Sequence, residues 1–237
     1  MKIVVLGDIH GRLIWKDIIE KENPDKVIFL GDYVSTHEGI SAEQQLSNLE
    51  DILNYKEENP DKVILLRGNH DTQHLGYYWA ECSGYDRVVA SYMDDAEFLM
   101  RFTKLTDWVY VDDELKTIFS HAGVSKVWMD KVLNEADVHN INDYGMIEAF
   151  GFTPNWRGDF YGNSTTQPPT WIRPESLRDC NVDGWDQVVG HTPVRTKITD
   201  LGSIVGIKEH IWLCDALGIN QYLVIDNGTF QPKTLKL

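Results

Sequence analysis

Five short apolar runs in this chain each stop at a turn carrying an aspartate, an asparagine or a histidine. The turns read Gly7-Asp8-Ile9-His10-Gly11, Gly31-Asp32, Gly68-Asn69-His70-Asp71, Ser120-His121-Ala122-Gly123 and Gly190-His191-Thr192-Pro193. A short run of β-branched and apolar residues reads as a buried strand. A glycine beside its end lets backbone pass close to a ligand where a Cβ would obstruct it. An isolated Gly-Asp, or one histidine at a strand end, is an ordinary turn or a hydrogen-bonded core residue. Five in step with five strands point instead to one shared site, because ligands in α/β sheets gather outside the carboxyl ends of the strands. Oxygen and imidazole donors suit hard or borderline cations, and none of the five segments holds a cysteine, which argues against a thiolate zinc site. The pattern predicts a carboxylate-rich centre for two metal ions.

The spacing around these turns predicts βαβ units. Residues 2–6 read as the first strand, 13–21 as a helix stopped by Asn23-Pro24, and 26–30 as the second strand. A second helix spans 41–57, capped by Ser41, with Leu46, Leu49, Ile52 and Leu53 on one face and Asn59-Pro60 at its end; the third strand is 63–66. Asn23-Pro24-Asp25-Lys26-Val27 recurs as Asn59-Pro60-Asp61-Lys62-Val63, which predicts two αβ connections built alike. Later strands fall at 117–119, 187–189, 210–214 and 221–225, the last two as a meander ending at Asp226-Asn227-Gly228. Residues 151–178 are crowded with Gly, Pro, Asn, Ser and Thr, the composition of a substrate-facing loop.

With 237 residues, 42% of them hydrophobic, one domain over 1–237 is expected, large enough to need no disulfide or structural metal. The formal net charge of -15 disfavours duplex nucleic acid and anionic membrane surfaces as partners. Cys82, Cys180 and Cys214 are unpaired by spacing and suit reduced thiols. No signal peptide or membrane span can be drawn, so a cytoplasmic location is expected. The first turn lacks the spaced glycines of a dinucleotide-binding fold.

The ordered motif set resembles the calcineurin-like metallophosphoesterases, and within them the phosphoprotein-phosphatase branch that includes a bacteriophage lambda enzyme; the similarity spans nearly the whole chain. The resemblance implies a four-layer α/β fold, a β-sandwich of mixed sheets flanked by helices. It implies Asp8 and His10 as ligands of one metal, Asp32 as the carboxylate bridging both, and Asn69, His121 and His191 on the second. His70 matches the family's catalytic histidine, and Pro193 stands where many relatives carry a further histidine. Arg67 matches an arginine that the family uses to clamp phosphate, and Arg173 resembles a second more loosely; Arg12 and Arg157 are further candidates, each readable equally as a surface charge.

The expected chemistry follows from charge. Two cations roughly 3.5 to 4 Å apart neutralise a phosphoester and bring the pKa of a bridging water to roughly 7. His70 would then protonate the leaving oxygen. Manganese is the first expectation for the metal, with iron and zinc as alternatives. The leading function is a dimetal phosphomonoesterase acting on a phosphoprotein, a nucleotide or a small phosphate ester. The alternative is a phosphodiester or dinucleoside polyphosphate hydrolase, and a non-catalytic scaffold fits less well because every ligand type is present.

One segment departs from the family. After Gly31-Asp32-Tyr33-Val34 the branch continues with an aspartate that supports the catalytic histidine and an arginine that binds phosphate, and here Ser35 and Thr36 stand instead. Glu38 or Asp71 is the expected substitute partner for His70. His37, His74, His139 and His210 read as surface or packing residues, as do Tyr77, Tyr78, Trp79 and Tyr85. Asp94-Asp95 and Asp112-Asp113-Glu114 read as solvated faces or turn ends, and Asp215 as a structural hydrogen-bonding residue near the site.

Overall fold

A computed structural model describes residues 1–36, 38–76, 82–134, 137–144, 147–152 and 161–236. The first half runs β1 (Lys2–Leu6), α1 (Ile14–Glu22), β2 (Lys26–Phe29), α2 (Ala42–Glu58), β3 (Val63–Leu65), α3 (Asn69–Thr72), α4 (Arg87–Met93) and α5 (Ala96–Leu105). The second half runs β4 (Val109–Asp112), β5 (Thr117–Ser120), α6 (Lys126–Val132), α7 (Pro174–Asp179), β6 (Asp186–Val189), β7 (Thr199–Asp200), α8 (Leu201–Val205), β8 (Ile211–Leu213), β9 (Gln221–Asp226) and β10 (Thr229–Thr234). They form two mixed five-stranded sheets, ordered β10-β9-β1-β2-β3 and β4-β5-β6-β8-β7. Each sheet has three adjacent parallel strands, β1-β2-β3 running to the edge of one and β5-β6-β8 in the middle of the other, and the remaining pairings are antiparallel.

The period of two along each strand builds the layers. Ile3, Val5, Ile28 and Leu223 face the second sheet and pack with Phe119, Val188, Ile198 and Cys214. Their neighbours Val4, Leu6, Val27, Phe29 and Val224 point the other way, onto Trp15, Ile18, Leu49, Ile52, Leu53 and Phe102. The outer side of the second sheet puts Val109 and Ile118 against Trp128, Met129, Ile141 and Phe150. Each such buried side chain contributes about 1.5 to 3 kcal/mol relative to exposure, so the alternation holds four layers together: helices, sheet, sheet, helices. This is the sandwich that the family resemblance implied. No helix among the described residues is long and apolar enough to cross a membrane.

Local sequence explains most boundaries. Ser41 caps α2 and forms a capping box with Gln44, worth about 1 kcal/mol against alanine. The repeated Asn-Pro-Asp-Lys-Val segments end up side by side with Val27 opposite Val63, but their turns differ. Asn23 closes α1 in the left-handed region at φ 41°, whereas Asn59 has φ -134°, so the two connections are not built alike. The expected meander of 210–214 and 221–225 is also corrected. β8 joins the second sheet, β9 pairs with β1, and Asn227-Gly228, both at positive φ, turn β9 into β10. β10 has no apolar alternation to announce it, and Pro232 with its polar neighbours suits the edge position that it takes.

Candidate metal centre

The carboxyl ends of β1, β2, β5 and β6, and the turn after β3, meet at the seam between the two sheets. Backbone bonds lace the first two turns: His10 N–H donates to Asp32 O at 2.7 Å and Gly11 N–H to Tyr33 O at 2.9 Å. Asp71 locks the next turn by accepting from the N–H groups of Asp32, Tyr33 and Gly68, each at 2.8 Å. His10, Asp32 and His191 sit in the left-handed region at φ 46°, 52° and 60°, a conformation that costs roughly 1 kcal/mol or more for a residue with a Cβ. All three turn a side chain into the same spot. Gly68 and Gly190 are required there, because a Cβ would overlap Asp32 Oδ1 and Asp8 Oδ1 respectively.

Each carboxylate is held by one oxygen and offers the other. Asp8 Oδ1 accepts from His191 N–H and Asp32 Oδ1 from His70 N–H, both at 2.9 Å. Asp8 Oδ2 lies 3.8 Å from His10 Nε2; Asp32 Oδ2 lies 4.0 Å from His10 Nε2 and 3.4 Å from His121 Nε2. Asn69 Oδ1, His121 Nε2 and His191 Nδ1 stand 2.9, 3.2 and 3.0 Å from one another. His121 Nδ1 is within 2.8 Å of Leu30 O and His10 Nδ1 within 3.0 Å of Val34 O, so each ring donates outward and turns the lone pair of its Nε2 inward.

These donors fit a cation. Ligands 2.0 to 2.1 Å from an octahedral ion and at right angles to each other are about 3 Å apart, which is the spacing of the Asn69, His121 and His191 atoms. Asp8, Asp32 and His121 offer ligand atoms within 4.8 Å of one another and are buried. Asp32 Oδ2 is the atom shared between the Asp8–His10 side and the His121 side.

Electrostatics agree. Burial, then the neighbouring Asp215 charge, raises the Asp8 carboxyl well above its ordinary range; burial, then Asp8 and Asp71, does the same to Asp32. Burial pushes His121 down to about 3, and burial, then the neighbouring His121, lowers His191 well below its ordinary value. Carboxylates that resist their charge beside imidazoles that resist protonation form a cluster short of positive charge, and a bound cation supplies it.

A cleft of about 430 Å³ opens over this cluster, lined by Asp8, His10, Asp32, Asn69, His70, Cys82, Ser83, Tyr161, Trp171, Arg173, His191, Pro193 and Asp215. Arg173 lines the cleft: Nη1 donates to His191 O and Thr192 Oγ1, and Nε to Tyr161 O. Arg67 is not among the lining residues. Its Nε donates to Thr106 Oγ1 and one Nη to Thr103 O and Thr106 O, and the guanidinium lies over Trp108, so its fork is turned to the chain before β4 instead of to a phosphate. Arg12 donates to Asp8 O and pairs with Glu38, and it lines an adjoining cavity of about 390 Å³ with His10, Arg195 and Asp215.

Neither expected partner orients His70. Glu38 is held by Arg12, and the Asp71 carboxylate faces backbone N–H groups; Gln73 Nε2 and Cys82 Sγ lie 3.2 and 3.5 Å from His70 Nδ1 instead. Asp215 is more than a peripheral structural residue. It is buried, lines both cavities and is pushed up to about 6 by desolvation. Its place after β8 is a sixth strand end of the kind that marked the other five. His74 is fully buried, with Nδ1 at 2.7 Å from His70 O and its ring stacked on Tyr85, a packing role. Asp95 caps α5, and Asp112 accepts from the N–H groups of Glu114 and Leu115 at a turn. All three cysteines are free. His37, Tyr77, Tyr78, Trp79 and Arg157 lie outside the described residues.

Two mixed sheets packed face to face, with oxygen and imidazole donors at the seam, define the metallophosphoesterase class of fold. The chain belongs to the calcineurin-like phosphoesterase family, whose model matches residues 1–221. It is similar to the serine/threonine-protein phosphatase 4 catalytic subunits of Eremothecium gossypii and Saccharomyces cerevisiae, 32% and 34% identical over 96 residues. Each match covers 38% of this chain and 28% of the relative. Among solved structures, a cold-active protein tyrosine phosphatase matches with TM-score 0.61 at 16% identity, over 98% of this chain and 78% of that one. A protein serine/threonine phosphatase from Saccharomyces cerevisiae matches with TM-score 0.60 at 14% identity, over 100% and 80%.

Proposed function

We propose that this protein is a dimetal phosphomonoesterase. Asp8, His10 and Asp32 would hold one divalent ion, and Asp32, Asn69, His121 and His191 would hold the other, with manganese first and iron or zinc as alternatives. The observation that carries the reading is the mutual 2.9 to 3.2 Å spacing of Asn69 Oδ1, His121 Nε2 and His191 Nδ1 with Asp32 Oδ2 beside them. When bound, the two ions supply neutralisation of the ester's charge and a water of lowered pKa. The protein's own groups do the rest. Arg173, fixed by three hydrogen bonds, orients the non-reacting phosphate oxygens. His70 stands beside Asn69 to engage the leaving oxygen. Tyr161 and Trp171, from the 151–178 segment, line the cleft together with Arg173 and face the substrate. The substrate is a phosphoprotein, a nucleotide or a small phosphate ester, handled within one domain over 1–237.

A second reading, cleavage of a diester or a dinucleoside polyphosphate, is favoured by the adjoining cavity with Arg12 and Arg195, which has room for a further phosphate. Manganese-loaded protein assayed on para-nitrophenyl phosphate and on its bis ester separates the two. A dominant monoester rate that chelation abolishes supports the proposal; a dominant bis-ester rate promotes the second reading; no hydrolysis of either with any divalent ion rejects both.

A further inference from the structure

Gln73 is a buried residue beside the cleft that the proposed chemistry leaves unused. It follows α3, and its side-chain amide reaches four groups. Oε1 accepts from Cys82 N–H at 3.1 Å, while Nε2 lies 3.1 Å from Ser35 Oγ, 3.4 Å from Ser83 O and 3.2 Å from His70 Nδ1. An amide's two ends are told apart by their partners. A backbone N–H only donates and a backbone carbonyl only accepts, so Cys82 N–H and Ser83 O demand the same orientation. Nε2 is therefore the atom that faces His70; its two hydrogens serve the two nearest acceptors, Ser35 Oγ and His70 Nδ1, and Ser83 O at 3.4 Å is the weakest of the three contacts. A donor on Nδ1 makes that nitrogen the acceptor and leaves the ring proton on Nε2, the opposite edge of a side chain that lines the cleft. His10 meets the same ring edge to face, with centroids 5.3 Å apart and planes at 83°, so the imidazole is held from two sides. Ser35, at the position where the resembling family supplies a carboxylate, serves here as an anchor for the amide.

We propose that Gln73 is the positioning residue of His70 and that it tunes the cleft to esters with good leaving groups, aryl phosphates and phosphoanhydrides above alkyl phosphates. The substrate claim rests on the phosphoesterase reading, with His70 at the leaving oxygen. In that hydrolysis the water oxygen bonds to phosphorus and the ester P–O bond breaks with its electron pair on the leaving oxygen. The proton lost by water passes to solvent. An aryloxide or a phosphate departs carrying that charge, with Nε2–H hydrogen-bonded to it. An alkoxide must receive a proton, and an amide behind the ring cannot supply or balance one as a carboxylate would.

The test compares wild type, Gln73→Glu and Gln73→Ala on a series from alkyl to aryl phosphates, with ring-nitrogen NMR of His70 in the magnesium- or zinc-loaded protein. His70→Asn identifies the resonance. Wild type is expected to show Nδ1 without a proton and Nε2 with one. Gln73→Glu puts a proton on Nδ1 beside the one on Nε2, so that the ring can give Nε2–H to an alkoxide, and raises the alkyl-to-aryl kcat ratio by about tenfold. Gln73→Ala lowers kcat by about tenfold at unchanged KM, since it loosens the ring and not the substrate. A proton on Nδ1 in wild type, or a ratio that neither variant moves, overturns the proposal. Should Gln73→Ala fail to fold, the isosteric Gln73→Glu and the wild-type spectrum decide it. If no form hydrolyses any phosphate ester, the phosphoesterase reading and the substrate claim fall together, and the ring spectrum alone decides whether Gln73 positions His70.

Discussion

Two of the places where this molecule brings aspartate and histidine together behave oppositely. At the outer edge of the second sheet, between β7 and β8, Asp200 Oδ2 lies 2.6 Å from His210 Nδ1 and also accepts from Ser203 Oγ. His210 is half exposed there. The hydrogen bond that His210 donates to Asp200 raises the imidazole, and although burial pushes Asp200 up, its bonds from Ser203, His210 and backbone outweigh that and leave it below its ordinary value. That is a self-sufficient pair. At the seam the directions reverse: Asp8 and Asp32 rise, and His121 and His191 fall. The residue types are the same. What differs is burial on all sides and the aim of the lone pairs, which at the seam face one another because the N–H edges of His10 and His121 are spent on backbone carbonyls. A buried cluster arranged in this way is complete only with a cation.

The sharpest way to break the comparison is Asp32→Asn. In the loaded protein, metal content falls by elemental analysis and turnover drops on the order of 10³-fold or more. The metal-free variant melts no lower than wild type, because a buried charge with no cation has been removed. A metal-free variant that melts far lower would mean the carboxylate is a structural strut. Next in size is Gly190→Ala, whose Cβ overlaps Asp8 Oδ1 and displaces the His191 N–H bond; urea unfolding should show a loss of about 3 kcal/mol. Adding a divalent ion at 100 times its dissociation constant should raise stability by about 2.7 kcal/mol, read as an upward shift in Tm that chelation reverses.

The smallest effect belongs to the outer pair. Asp200→Asn should cost less than about 1 kcal/mol, an effect that 1 M salt screens away because the pair is exposed. Its pH signs are opposite at the two ends. The contribution of the raised His210 is present below an ordinary histidine value of about 6.5 and is lost as pH rises through the raised one; that of the lowered Asp200 is present above about 3.9 and is lost as pH falls through the lowered one. Thermal midpoints of wild type minus Asp200→Asn across pH should therefore form a plateau between the two values. A difference that instead grows steadily toward alkaline pH would contradict the pairing.

The strand-end donors were legible because each lies next to its own strand, and a buried apolar run followed by glycine and a ligand residue is a local signal. The two parallel crossovers were legible for the same reason, with Ser41 and Asn59 marking the ends of α2. β4 carries a local signal of its own in the short β-branched and aromatic run Val109-Tyr110-Val111. Asp215, after β8, fits the strand-end rule, but its Cys214-Asp215-Ala216 turn lacks the glycine that marked the others. Arg67 beside Gly68-Asn69 was the opposite case: proximity in sequence said nothing about direction, and the side chain bonds the backbone at 103 and 106.

The sequence by itself determined the chemistry of the site, since donor types and the apolar periods that deliver them are properties of adjacent residues. Tertiary structure alone decided how those donors are assembled. It sent β8 and β9 to different sheets, bonded His191 N–H to an aspartate 183 residues away, turned Glu38 to Arg12 and set Gln73 behind His70. The physical reason is that hydrogen-bond partners and burial are settled by which surfaces the packed layers bring into contact, and no local period encodes that contact.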